Sequence, residues 1–67
     1  MVCYVKNGSK GVITKAVQVK LSNLGFYKAK IDSIAGPITV AAIKAYQKSK
    51  KLVQDGCVGP ITWESLS

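Results

Sequence analysis

The chain contains no histidine and no arginine, and it has only three acidic residues. Each shortage excludes something. Without histidine it lacks the usual general base near neutral pH and the commonest zinc ligand. Its acids are Asp32, Asp55 and Glu64, and its cysteines, Cys3 and Cys57, form no CxxC pair. No nucleophile stands beside a base, so no catalytic residue, metal site or cofactor is expected, and an enzyme is not expected of this chain alone. Without arginine there is no planar fork to read guanine edges or grip phosphate in two places. No specific nucleic-acid partner is expected, although non-specific attraction to a polyanion stays open. No apolar run approaches the roughly 20 residues that span a bilayer, so no membrane partner is expected. The segment Met1–Gly8 has no charged start followed by an apolar stretch and does not read as a signal peptide. A piece of a longer protein, a product of its own start codon and export by another route all fit.

What is present is a basic, moderately hydrophobic chain of 67 residues with net charge +7, all ten positive charges being lysines. That length sets one domain, burying only about 60% of its unfolded surface. Hydrophobic residues make up 48% of it, enough for a core and outside the range of disordered chains. The lysines fit either a solubilising surface or attraction to an anionic partner. The cysteine pair is compatible with one disulfide in an exported domain; two buried or partly buried thiols are the preferred reading.

Residues 1–10 read as an extended lead-in or linker remnant, from the alternation of Val2 and Tyr4 and the turn-rich Asn7–Gly11. Residues 11–67 read as the domain. A helix is expected over 12–24, with Ile13, Val17, Leu21 and Leu24 on its buried face and Lys15, Gln18, Lys20, Ser22 and Asn23 mostly off it. Gly25 suits a left-handed C-terminal residue, after which Phe26 and Tyr27 fold back. A second helix over 37–49 starts at Pro37 and buries Thr39, Ala42, Ile43 and Tyr46. The lysines of Lys48-Ser49-Lys50-Lys51 complement its C-terminal dipole. A third, over 60–66, starts at Pro60, turns Thr62, Leu66 and part of Trp63 inward, and must rest on the others. The fold class is all-α, a small three-helix bundle.

One pattern rises above composition. Asp32-Ser33-Ile34-Ala35-Gly36-Pro37-Ile38-Thr39 matches Asp55-Gly56-Cys57-Val58-Gly59-Pro60-Ile61-Thr62 as D-x-x-x-G-P-I-T, each copy directly before a helix. Such self-similarity implies one supersecondary unit used twice. The aspartate closes an Asx-type turn on backbone N–H groups a few residues on. Gly36 and Gly59 are expected to supply conformational freedom, Pro37 and Pro60 to start the helices, Ile38 and Ile61 to enter the core, and Thr39 and Thr62 to begin the buried stripes. The unit reads first as a helix-launching turn, ahead of a direct ligand role for Asp32 and Asp55.

Gly11-x-x-Thr14-x-x-Val17-Gln18-x-x-Leu21-x-x-Leu24-Gly25-Phe26, then Asp32-x-x-x-Gly36-x-x-Thr39-x-x-Ala42-Ile43-x-x-Tyr46-Gln47, then Asp55-Gly56-x-Val58-Gly59-x-x-Thr62-Trp63-x-x-Leu66 resembles the peptidoglycan-binding domain of bacterial and phage cell-wall hydrolases. The likeness runs from Gly11 to Leu66; its motifs are weak singly and specific in this order. Ser33 replaces the family's usual glycine, Ala35 a larger apolar residue and Val17 a leucine. The resemblance implies a compact three-helix fold and non-covalent binding to peptidoglycan, beside a covalently linked or associated hydrolase domain. It implies location at the bacterial cell wall or outside the cell, or in the host cytoplasm before lysis if phage-encoded. The wall is itself a polyanion, which suits the lysines. Candidate ligand residues are Tyr27, Asp32, Tyr46, Asp55 and Trp63, around a groove beside the two turns, with Tyr46 the one most suited to the core. A related domain blocks the zinc of matrix metalloproteases through a cysteine, but the Pro-Arg-Cys-Gly segment is absent. The alternative is a generic basic protein- or nucleic-acid-interaction domain.

Overall fold

The computed structural model describes residues 3–66; the alternation read from Val2 lies outside the described residues. Three helices are found among them: α1 (Val12–Asn23), α2 (Pro37–Ser49) and α3 (Pro60–Leu66). Helix α1 packs against both α2 and α3. The helices lie where the proline and glycine punctuation puts them. Pro37 occupies the start of α2, and Gly25, at φ 87°, ends α1 in the left-handed conformation. The Phe26 and Tyr27 N–H groups then both reach back to the Leu21 carbonyl, at 2.8 and 3.2 Å. Helix α2 ends the same way with a lysine in glycine's place: Lys51 has φ 59°, and Leu52 N–H donates to the Gln47 carbonyl at 2.8 Å.

The core gathers Val5, Val17, Leu21, Tyr27, Ala35, Ala42, Ile43, Tyr46, Val58 and Leu66, with Phe26, Ala29, Leu52 and Trp63 packed against it. Phe26 meets Tyr46 edge to face at 5.6 Å between centroids. The expected stripe of α2 is buried as read. That of α1 is rotated: Ile13 and Leu24 are exposed, whereas Thr14 and Gln18 join Val17 and Leu21 inside. Ile38 and Ile61 are also outside, at 63% and 72% exposure, not in the core as expected.

Both corrections have one cause. The helix-launching unit occurs a third time, as Asn7-Gly8-Ser9-Lys10-Gly11-Val12-Ile13-Thr14 before α1. In each copy the isoleucine is the second helical residue and faces water, and the threonine is the third and faces the core. The second residue of each turn has positive φ: 91° at Gly8, 65° at Ser33 and 70° at Gly56. Freedom is required at that position and not at Gly36, whose φ of −96° any residue adopts and where an added Cβ meets nothing within 4 Å. At Gly56 an added Cβ would also lie 2.9 Å from Val40 Cγ1 and 3.0 Å from Lys44 Cε.

The turns are zipped together through their backbones. Gly8 N–H donates to the Ala35 carbonyl at 2.7 Å, Ala35 N–H to Ser9 at 2.8 Å and Gly11 N–H to Ser33 at 3.0 Å. Val5 forms an antiparallel bridge with Val58. Cys3 and Cys57 are joined in a disulfide, the pairing the sequence allowed, and not the two thiols it favoured. Their Cα atoms lie 5.6 Å apart, within the span a disulfide bridges, and the Val5–Val58 pairing joins the same two segments. The segment before α1 is thereby fastened to the turn before α3.

Candidate functional site

The second and third turns are each held by a buried glutamine from the preceding helix. Gln18 of α1 points its Nε2 at Asp32 Oδ1 (3.2 Å), the Ile34 carbonyl (3.0 Å), Thr39 Oγ1 (3.1 Å) and Tyr27 Oη (3.3 Å). Its Oε1 accepts from Ser33 N–H at 3.0 Å. Gln47 of α2 repeats this at the next turn: Nε2 donates to Asp55 Oδ1 (3.0 Å), the Cys57 carbonyl (2.9 Å) and Thr62 Oγ1 (3.3 Å), and Oε1 accepts from Gly56 N–H (3.2 Å). The side-chain amide serves both as donor and as acceptor, so one buried residue satisfies a whole turn. Each aspartate closes its own Asx turn as expected, Asp32 accepting from Ile34 N–H and Asp55 from Cys57 N–H, both at 3.0 Å.

These bonds favour the ionised carboxylates. The pKa of Asp32 is held below its ordinary value, first by the Ile34 N–H and then by the Gln18 amide. That of Asp55 is lowered chiefly by the Cys57 N–H; desolvation opposes this, and the Gln47 amide adds a lesser lowering. Both aspartates are exposed at the surface, but one oxygen of each is committed to the turn.

The aromatic candidates divide. Tyr46 is fully buried, its Oη 2.6 Å from Ser65 Oγ. Tyr27 is buried as well, its hydroxyl accepting from Gln18 and donating to the Lys30 carbonyl. Neither ring offers a face to a ligand; both belong to the core. Trp63 is half-buried, edge-on to Tyr4 at 6.0 Å, and borders a small recess of about 150 Å³ with Ala16, Lys20 and Leu66. A larger open cavity of about 320 Å³ lies beside the third turn, lined by Gln47, Lys51, Leu52 and Val53 and by Asp55, Cys57, Gly59, Pro60, Ile61 and Thr62. No aromatic ring lines it. Pro60 and Thr62, singled out as turn residues, are therefore also cavity walls, whereas Pro37 and Thr39 border neither recess.

Residues 10–66 match the model of the putative peptidoglycan binding domain family, and the chain belongs to that family. It is 40% identical over 57 residues to an uncharacterized protein in the bpoA1 3' region of Kitasatospora aureofaciens, covering 84% of this chain and 48% of that one. It is 36% identical over 56 residues to the spore cortex-lytic enzyme of Halalkalibacterium halodurans, covering 84% of this chain but 17% of the relative. The chain thus spans half or less of these curated relatives. The crystal structure of the SleB N-terminal domain superposes with a TM-score of 0.91 at 31% identity, covering 92% of this chain and 85% of that one. The all-α three-helix architecture is that of this structural neighbour.

Proposed function

We infer that this domain binds peptidoglycan without cleaving it and serves to hold a hydrolase on the bacterial wall. The observation that carries the reading is the match to the peptidoglycan-binding family over residues 10–66. The spore cortex-lytic enzyme supports the second half, since the likeness occupies only 17% of that lytic protein. The chemistry of the chain agrees. Two of its three acids have an oxygen tied into turns, and it has no histidine to act as a base. The hydrolase is supplied by a covalently linked or associated domain, and the site of action is the cell wall.

Attraction comes from the ten lysines and recognition from a polar and apolar face. Charge acts over about 10 Å at 0.1 M salt, so its share weakens as salt rises. Co-sedimentation with purified walls across a salt series, with duplex DNA as the competing polymer, tests the reading. Binding to walls is expected to fall without vanishing, and no soluble muropeptides are released. Loss of all wall binding at moderate salt with equal affinity for DNA overturns recognition; release of muropeptides overturns the non-catalytic role.

A further inference from the structure

The two glutamine-held turns differ in one respect. The Gln18 amide has a partner with no counterpart at Gln47: the Tyr27 hydroxyl, whose ring lies buried beside the turn. The other three acceptors correspond one to one, Asp32 with Asp55, Ile34 with Cys57 and Thr39 with Thr62. The chain between Gln18 and Asp32 is long enough to carry Tyr27 back over the network. The shorter chain between Gln47 and Asp55 brings no tyrosine, and the 320 Å³ cavity lies there, with Gln47 in its wall.

The cavity's lining is specific in chemistry. Val53 and Ile61 stand 76% and 72% exposed at its sides, with Leu52 and Pro60. The Lys51 chain and the ionised Asp55 carboxylate supply opposite charges. A sugar is commonly recognised by stacking on an aromatic ring, and none is here. Small aliphatic side chains flanked by a carboxylate and an amine are complementary to these walls, in a volume at the small end of ligand pockets.

We propose that the cavity at the third turn takes the peptide arm of peptidoglycan rather than its glycan, with alanyl methyl groups against Val53 and Ile61, a carboxylate at Lys51 and the amine of a diamino acid at Asp55. This rests on the wall-binding reading and specifies which part of the polymer is held. The second turn, closed by Tyr27, is structural, and the chain carries a built-in control: Ile38 occupies there the position that Ile61 occupies at the cavity.

The test is an NMR titration of the intact domain with two probes, a synthetic stem tetrapeptide carrying a diamino acid and a peptide-free N-acetylglucosamine tetramer. The peptide is expected to shift the amides of Val53, Asp55, Gly56 and Ile61, and the glycan to leave them unmoved. The double variant V53S/I61S is expected to bind peptide about tenfold more weakly, by loss of apolar contact; I38S binds as the parent does. Both altered side chains face water, so the melting temperature stays near that of the parent, and titration of the unaltered domain stands independently of either variant. Shifts caused by the glycan alone, or peptide shifts gathered at the second turn, overturn the proposal. Undiminished sedimentation of V53S/I61S with walls also overturns it while leaving wall binding intact. A domain that sediments with walls at no salt concentration removes the wall reading and this proposal with it.

Discussion

Ser33 and Gly56 share a backbone conformation, φ 65° and 70°, at the same position of successive turns, and each N–H donates to a buried glutamine. A side chain in the left-handed region costs about 1–2 kcal/mol. Glycine avoids that cost but loses more freedom on folding, by roughly 0.5–1 kcal/mol. Ser33→Gly is therefore expected to stabilise the domain by about 0.5–1 kcal/mol, read from urea midpoints. At Gly56 the Cβ also meets Val40 and Lys44, so Gly56→Ala is expected to cost about 1–3 kcal/mol. Equal midpoints for S33G and the parent would show that the serine is unstrained.

Replacing Gln47 with leucine keeps the volume and removes both ends of the amide. The Cys57 carbonyl, the Gly56 N–H and Thr62 Oγ1 then lose their partner together. Each buried polar group left unpaired costs roughly 1–3 kcal/mol, so with three such groups the third turn is expected to lose about 3 kcal/mol or more in all. A domain of this size has only roughly 3–10 kcal/mol in total, so Gln47→Leu should melt far below the parent. Gln18→Leu is expected to do the same. A melting temperature within a few degrees of the parent would mean that the turns close without the glutamines.

The disulfide between Cys3 and Cys57 closes most of the chain, at a sequence separation of 54. Loop closure of that length constrains the unfolded chain by about 4 kcal/mol. Reduction, or Cys3→Ser, is expected to lower the urea midpoint accordingly while leaving the helical circular dichroism intact at low denaturant. No change on reduction would mean that the Val5–Val58 pairing already holds the segment.

Acid sensitivity follows from the aspartates. Both have a pKa below the ordinary 3.8 in the folded domain, so the stability they add is present above that value. It is lost as the pH falls through their folded pKa values. Melting temperature is expected to be flat from neutrality to about pH 5 and to drop below about pH 4. In D32N/D55N the drop should shrink; a drop of unchanged size places the acid-labile group elsewhere.

Helix positions were legible from sequence because Pro37, Pro60 and Gly25 act locally, through one φ angle or one missing N–H, and the two Asx turns for the same reason. The buried faces were less so. Gln18 and Gln47 look like surface residues on any scale of hydrophobicity, and only partners many positions away make their burial affordable. Ile13, Ile38 and Ile61 mislead in the opposite sense, apolar residues at the second helical position, pointing to water. The third copy of the launching unit was hidden because Asn7 and Val12 replace the aspartate and proline that made the other two conspicuous. What sequence did contain was the recurrence of glutamine before each visible aspartate, in Val17-Gln18 and Tyr46-Gln47. Tyr27 was read as a ligand ring because nothing local shows that its hydroxyl is already engaged.

The fastening of Cys3 to Cys57 has a mechanical consequence. If the chain is pulled between a point before Cys3 and a point after Leu66, tension enters at Cys3, crosses the sulfur–sulfur bond and leaves through α3. Residues 4–56, which include α1, α2 and the Gln18 network, lie on a loop that carries no load, whereas the Gln47 network reaches across to Cys57 and Thr62 on the loaded side. Only the end of the third turn, residues 57–59, and the seven residues of α3 stand in the line of force. That turn forms one wall of the cavity, so a tether strained in this direction would distort the cavity first while the rest of the domain stayed folded.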